Sequence, residues 1–116
     1  MKTHEADRNR VPAHDCASMA DVRREIDRLD RELVQLLAER LTYIERAGHI
    51  KAERGAVRDE DRIRDVLAKV KASCQREGFP YSIAEPVWRH LMEGCIAHEF
   101  VVFDEKADAK PKAANG

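Results

Sequence analysis

Two cations stand where a soluble helix normally places hydrocarbon. Along a helix starting with Val22 at 0° and turning about 100° per residue, Leu33 falls at about 20° and Ile26 and Ile44 at about 40°. Arg40 falls at about 0° and Lys51 at about 20°, in the middle of that apolar stripe. They are 11 residues apart, about 16 Å along a helix axis. Burying an unpaired charge costs several kcal/mol. With no acid on the same face, the pair implies a missing anion. The alternative is that both side chains reach along the stripe to water. That is easy for Lys51 near the helix end and hard for Arg40 in mid-helix. Arg23, at about 100°, lies on the edge of the stripe. It reads either as a solvated surface arginine or, in an antiparallel pair of long helices, as a cation reaching the second copy's site. Three such cations around one cavity would hold a small dicarboxylate, with paired donors for each carboxylate.

Near the other end of the chain, Glu99 is spaced with Met92, Cys95, Ile96 and Val102 on the buried side of a helix. Apolar surroundings favour the neutral form of a carboxyl group, which can then donate a hydrogen bond. Two other readings remain open: a buried partner for Lys51 or Arg40, and an exposed residue near a fraying terminus.

The elements that must position these residues are all helical. Ser18, with Asp21 three residues on, has the form of a capping box. From there to about Ala52, apolar residues recur at Val22, Ile26, Leu29, Leu33, Leu36, Leu37, Leu41, Ile44 and Ala47, in steps of mostly three and four. This predicts one helix of about 34 residues, about 50 Å long. A domain of this size has a radius of gyration of only about 13 Å, so a second chain is expected to bury the overhanging stripe. A loop follows at 53–57. A second helix is expected over about 59–76, with Ile63, Val66, Leu67, Val70 and Cys74 inward, stopped by Gly78 and Pro80. Ser82 and Glu85 repeat the capping pattern, and Pro86 is placed in the first turn of a third helix running to about Phe103. The organisation expected is a flexible arm over 1–17, a helical domain over 18–104 and a flexible tail over 105–116.

The 116 residues carry a net charge of −1 and are 37% charged and 43% hydrophobic. That composition suits a helix-rich soluble domain too small to bury much core alone. The basic residues do not gather into the patch that nucleic-acid binding requires. Arg24, Arg28 and Arg31 are interleaved with acids, as on a solvated face with i,i+4 pairing. Three cysteines at wide spacing fit neither a disulfide framework nor a zinc site. No apolar run approaches the ~20 residues of a membrane span, and the first 17 residues lack an apolar leader core. A reduced, cytoplasmic protein is expected. The five histidines are scattered, and no metal or catalytic role is assigned to them.

Residues 22–30 (VRREIDRLD), 36–40 (LLAER) and 47–51 (AGHIK) resemble the first helix of AroQ-class chorismate mutases. The spacing Arg–17–Arg–11–Lys belongs to that resemblance, as do residues 57–62 (VRDEDR) and 88–99 (WRHLMEGCIAHE). It covers roughly residues 18–103. It implies an all-α fold of three helices, the first very long, in an intertwined homodimer with active sites shared between protomers. It further implies that Arg40 and Lys51 bind substrate from one protomer and Arg23 from the other. Lys51 would approach the ether oxygen of the breaking bond, with Glu99 on that oxygen's other side. Asp59, Arg62, Ile63 and Cys95 match positions lining the site. The implied reaction is the [3,3] rearrangement of chorismate to prephenate, with no metal or cofactor.

Two departures from the family pattern bear on substrate and pH. Ile63 stands where some mutases carry a glutamate for the ring hydroxyl, and an apolar residue there resembles isochorismate-pyruvate lyases. Glu99 replaces the glutamine of many bacterial members. Because an ionised carboxylate would repel a developing oxyanion, activity is expected to fall as pH rises. Isochorismate-pyruvate lyase and 4-amino-4-deoxychorismate mutase therefore stay open beside chorismate mutase. A catalytically silent helical dimer acting as a regulatory module is the rival of a different class. Its mark would be loss of Arg40 or Lys51, and both are present.

Overall fold

A computed structural model describes residues 10–109. Among them every regular element is helical: α1 (Met19–Ile50), α2 (Glu60–Glu77) and α3 (Tyr81–Ala109), with single 3₁₀ turns at Ala13–Asp15 and Arg54–Ala56. They fall into two compact units that divide after Leu41. No helix among the described residues is long and apolar enough to cross a membrane.

The first unit is the amino-terminal part of α1 with the segment before it. The expected serine cap forms, with the Asp21 N–H donating to Ser18 Oγ (3.2 Å), and the Asp21 carboxylate reaches back one residue further, accepting from the Ala17 N–H (3.0 Å). The segment ahead of the cap turns at Pro12–Cys16. One expectation about the polar face is corrected here. Arg28 is not solvated but buried, at 5% exposure, and Glu25 and Glu32 each bond it at 2.8 Å. The i,i+3 and i,i+4 spacing folds both acids over the guanidinium and satisfies it without leaving the helix. The stripe expected to face inward is open in the single chain. Ile26, Leu29, Leu33, Leu36 and Leu37 are between 41 and 54% exposed.

The second unit holds the apolar core. Val57, Leu67, Cys74, Ala84, Met92, Cys95 and Phe103 are buried there. Asp59 caps α2 by accepting from the Arg62 N–H at 3.0 Å. Gly78, at φ 70°, ends α2 in the left-handed conformation that glycine adopts without strain.

Helix α3 departs from expectation at both ends. The Pro80 carbonyl accepts the first bonds, from the N–H groups of Ile83 and Ala84. Ser82 therefore sits inside the first turn, and Pro86 is the sixth helical residue. At the far end the helix does not stop near Phe103 but runs on to Ala109, through residues assigned to a tail. Good helix formers (Glu105, Lys106, Ala107) continue it, and Lys106 is held against α1. The remainder of the expected arm and tail, including His4, lies outside the described residues.

Candidate active site

Lys51 follows α1 directly. Its N–H donates to the Ala47 carbonyl at 3.0 Å, in register with the helix ladder. Its Nζ lies 2.7 Å from Glu99 Oε2 and 3.5 Å from the Val57 carbonyl. The Glu99 side chain is 5% exposed and that of Lys51 is 28%. The two residues singled out in the sequence thus meet as a charge-assisted pair, its carboxylate buried and its ammonium half-buried. This corrects the idea that no acid stands beside Lys51. The acid comes from α3, which a wheel drawn on α1 alone could not reveal. Of the readings left open for Glu99, the paired one describes this chain.

The close approach of the two helices follows from Gly48. A Cβ there would stand 3.2 Å from Val102 Cγ1 and 3.3 Å from Glu99 Cγ, tighter than ordinary van der Waals contact. Glycine costs a helix interior about 1 kcal/mol relative to alanine. Here that cost accompanies a helix contact at the level of Glu99. One turn away, His98 Nε2 and Glu45 Oε2 join the same helices at 2.7 Å. Cys95, one turn before Glu99, is buried on the same face of α3.

The remaining residues singled out in the sequence take other places. Arg40 is half-buried on α1 and Arg23 is exposed. Asp59 and Arg62 are linked through the α2 cap, and the Arg62 guanidinium turns to Asp65. Ile63 is half-buried in the first turn of α2. His49, expected on the solvent side, is exposed.

The loop that follows Lys51 is fixed by arginines that sequence reasoning passed over. Arg54 forks onto Asp104 at 2.9 and 3.3 Å and lies 4.5 Å over the Phe100 ring. Hydrogen bonding to Asp104 raises the Arg54 pKa above its already high value. Arg58 forks onto Glu93 at 3.0 and 2.8 Å and also reaches Glu60. These bonds hold the Glu93 carboxyl below the ordinary carboxylate range. Both pairs span long stretches of sequence, and opposite charges so far apart carry no periodic signal.

This arrangement offers a fixed ammonium and a fixed carboxyl group in a largely water-excluded position, where preorganised donors act most strongly on developing charge. The chain is similar to two proteins of known name. Over 85 residues the chain is 28% identical to the isochorismate pyruvate lyase of Pseudomonas aeruginosa, covering 73% of this chain and 84% of that one. Over 83 residues it is 32% identical to the T-protein of Haemophilus influenzae, covering 71% of this chain but only 22% of that protein. Residues 22–100, which contain Arg23, Arg40, Lys51 and Glu99, match the family described as chorismate mutase type II, and the chain belongs to that family.

Proposed function

We propose that this protein is a chorismate mutase. The observation that carries the reading is the Lys51–Glu99 pair, 2.7 Å apart and formed inside the segment that matches the family. The [3,3] rearrangement breaks an ether C–O bond and forms a C–C bond within one molecule. No proton or electron leaves, so the protein needs only to select a conformer and stabilise charge. Substrate folds into a compact chair-like form, and clamping its two carboxylates selects that form, an orientation effect. Arg40 takes this clamping role together with Arg23 from a second copy. Negative charge then grows on the enolpyruvyl oxygen. Lys51 donates to it from one side, and Glu99 stands on the other, where only a protonated carboxyl group could donate. Asp59, Arg62, Ile63 and Cys95 complete the lining.

The second copy is part of the proposal. Five large apolar side chains of α1 are 41–54% exposed in the single chain. Covering the exposed part of each, roughly half of the side chain, contributes about 1 kcal/mol, and an interlocked homodimer would cover them.

A second reading, isochorismate-pyruvate lyase, is favoured by Ile63 and by the Pseudomonas relative, of which 84% is covered. The same cations suit that substrate, which loses pyruvate by breaking the corresponding bond. Separate incubations of purified protein with chorismate and with isochorismate decide between the two. The expected result is chorismate consumed and prephenate formed, at higher kcat/KM than for isochorismate. Faster release of pyruvate from isochorismate would favour the lyase. Consumption of neither would contradict both.

A further inference from the structure

The family match ends at residue 100, yet α3 continues past it and returns to Lys51. Lys106 Nζ donates to the carbonyls of Gly48 (3.1 Å), His49 (3.2 Å) and Lys51 (2.8 Å). An ammonium has three N–H donors, and these carbonyls engage all of them. The same Nζ lies 4.3 Å from the centroid of the Phe103 ring, a cation–π distance. The last carbonyls of a helix lack partners within it. No glycine follows α1 until Gly55, and Lys106 supplies these carbonyls with donors from another element. Its charge also suits the negative end of the helix dipole.

The consequence falls on Lys51. Its N–H is bonded to Ala47 and its carbonyl to Lys106. Three residues on, Arg54 is forked onto Asp104. Residues 100–106 therefore hold the backbone both at Lys51 and just beyond it, while Gly48 sets the approach to Glu99. We infer that Lys106 is a positioning residue: by capping the end of α1 it keeps the Lys51 ammonium at Glu99, where the proposed rearrangement needs it. This rests on the function proposed above. Lys106 touches neither substrate nor reacting atoms in that scheme and acts through the Lys51 backbone.

The test compares full-length Lys106→Met, Lys106→Arg and, as a surface control, Lys69→Met. Two quantities are read: kcat and KM for chorismate well below each thermal midpoint, and the side-chain NMR signal of Lys51 Nζ, assigned with Lys51→Arg. Lys106→Met is expected to lower kcat by about tenfold or more, because small misplacements of a positioned group are costly. KM should change much less, and the Lys51 signal should shift or broaden. Lys106→Arg, which keeps charge and donors, should restore both, and Lys69→Met should alter neither. In an active protein, unchanged kcat in Lys106→Met overturns the inference, because a cap that only stabilises the fold would lower the midpoint alone. If the unsubstituted protein rearranges no chorismate, the proposed function fails, and the NMR signal alone then decides. A moved Lys51 signal in Lys106→Met keeps the positioning role, and an unmoved one removes it.

Discussion

At the residue scale, the chemistry depends on what Glu99 can offer the substrate. Glu99 Oε2 accepts from the Lys51 ammonium. In the proposed reaction the same carboxyl group must donate, which it does only while holding a proton. An amide donates regardless. Glu99→Gln is therefore expected to keep kcat/KM within about tenfold of the parent or to raise it. Glu99→Ala, which removes one preorganised donor, should lower it by about 100-fold or more. Initial rates with chorismate for the three proteins decide this. Equal loss in both variants would mean that Glu99 serves as a carboxylate, in which case its role is to hold Lys51. Arg40, Lys51 and Glu99 were legible in the sequence because each is a charge at an apolar phase of its helix. That Lys51 and Glu99 face each other was not legible, since a single-helix wheel carries no information about the neighbouring helix.

At the element scale, the amino-terminal part of α1 is held by local charge. The Glu25 carboxyl is kept below the ordinary carboxylate range, first by its hydrogen bond to Arg28 and further by the Val11 N–H. The Asp21 carboxyl is lowered likewise, chiefly by the Ala17 N–H. A carboxyl group with a depressed folded pKa stabilises the fold above its unfolded pKa, about 4, and loses that contribution as pH falls through the folded value. The thermal midpoint should thus drop on acidification below about pH 4, and the drop should be smaller in Glu25→Gln, which has no proton to take up. Circular dichroism melts at pH 7 and pH 3 would show it. An identical drop in both proteins would place the acid sensitivity elsewhere. The three helices were readable from apolar periodicity and from the Ser18–Asp21 and Asp59 caps. The start and end of α3 were not, because Pro80 offers only a backbone carbonyl as cap. The turns after Phe103 are polar in sequence and are fixed by Lys106 against a distant helix end.

At the scale of the whole molecule, apolar residues are divided unevenly. Buried apolar side chains among the described residues belong to 57–103, while the stripe of α1 from Ile26 to Leu37 stands open. A stripe of this kind calls for an occupant, and a second copy is the proposed one. Leu33→Glu places a charge in the middle of that stripe. It should shift the protein from dimer toward monomer in sedimentation equilibrium and reduce turnover in parallel, because Arg23 is proposed to serve the second copy. A parent protein that sediments as a monomer while remaining active would remove the shared-site part of the proposal.

The most direct measurement is the turnover of chorismate by Lys51→Ala, assayed at a temperature where circular dichroism shows parent and variant equally folded. Loss of the ammonium proposed to act at the breaking bond should lower kcat/KM by at least about 100-fold. Turnover within a few-fold of the parent would contradict the site, since a reaction that proceeds without Lys51 does not use the Lys51–Glu99 pair.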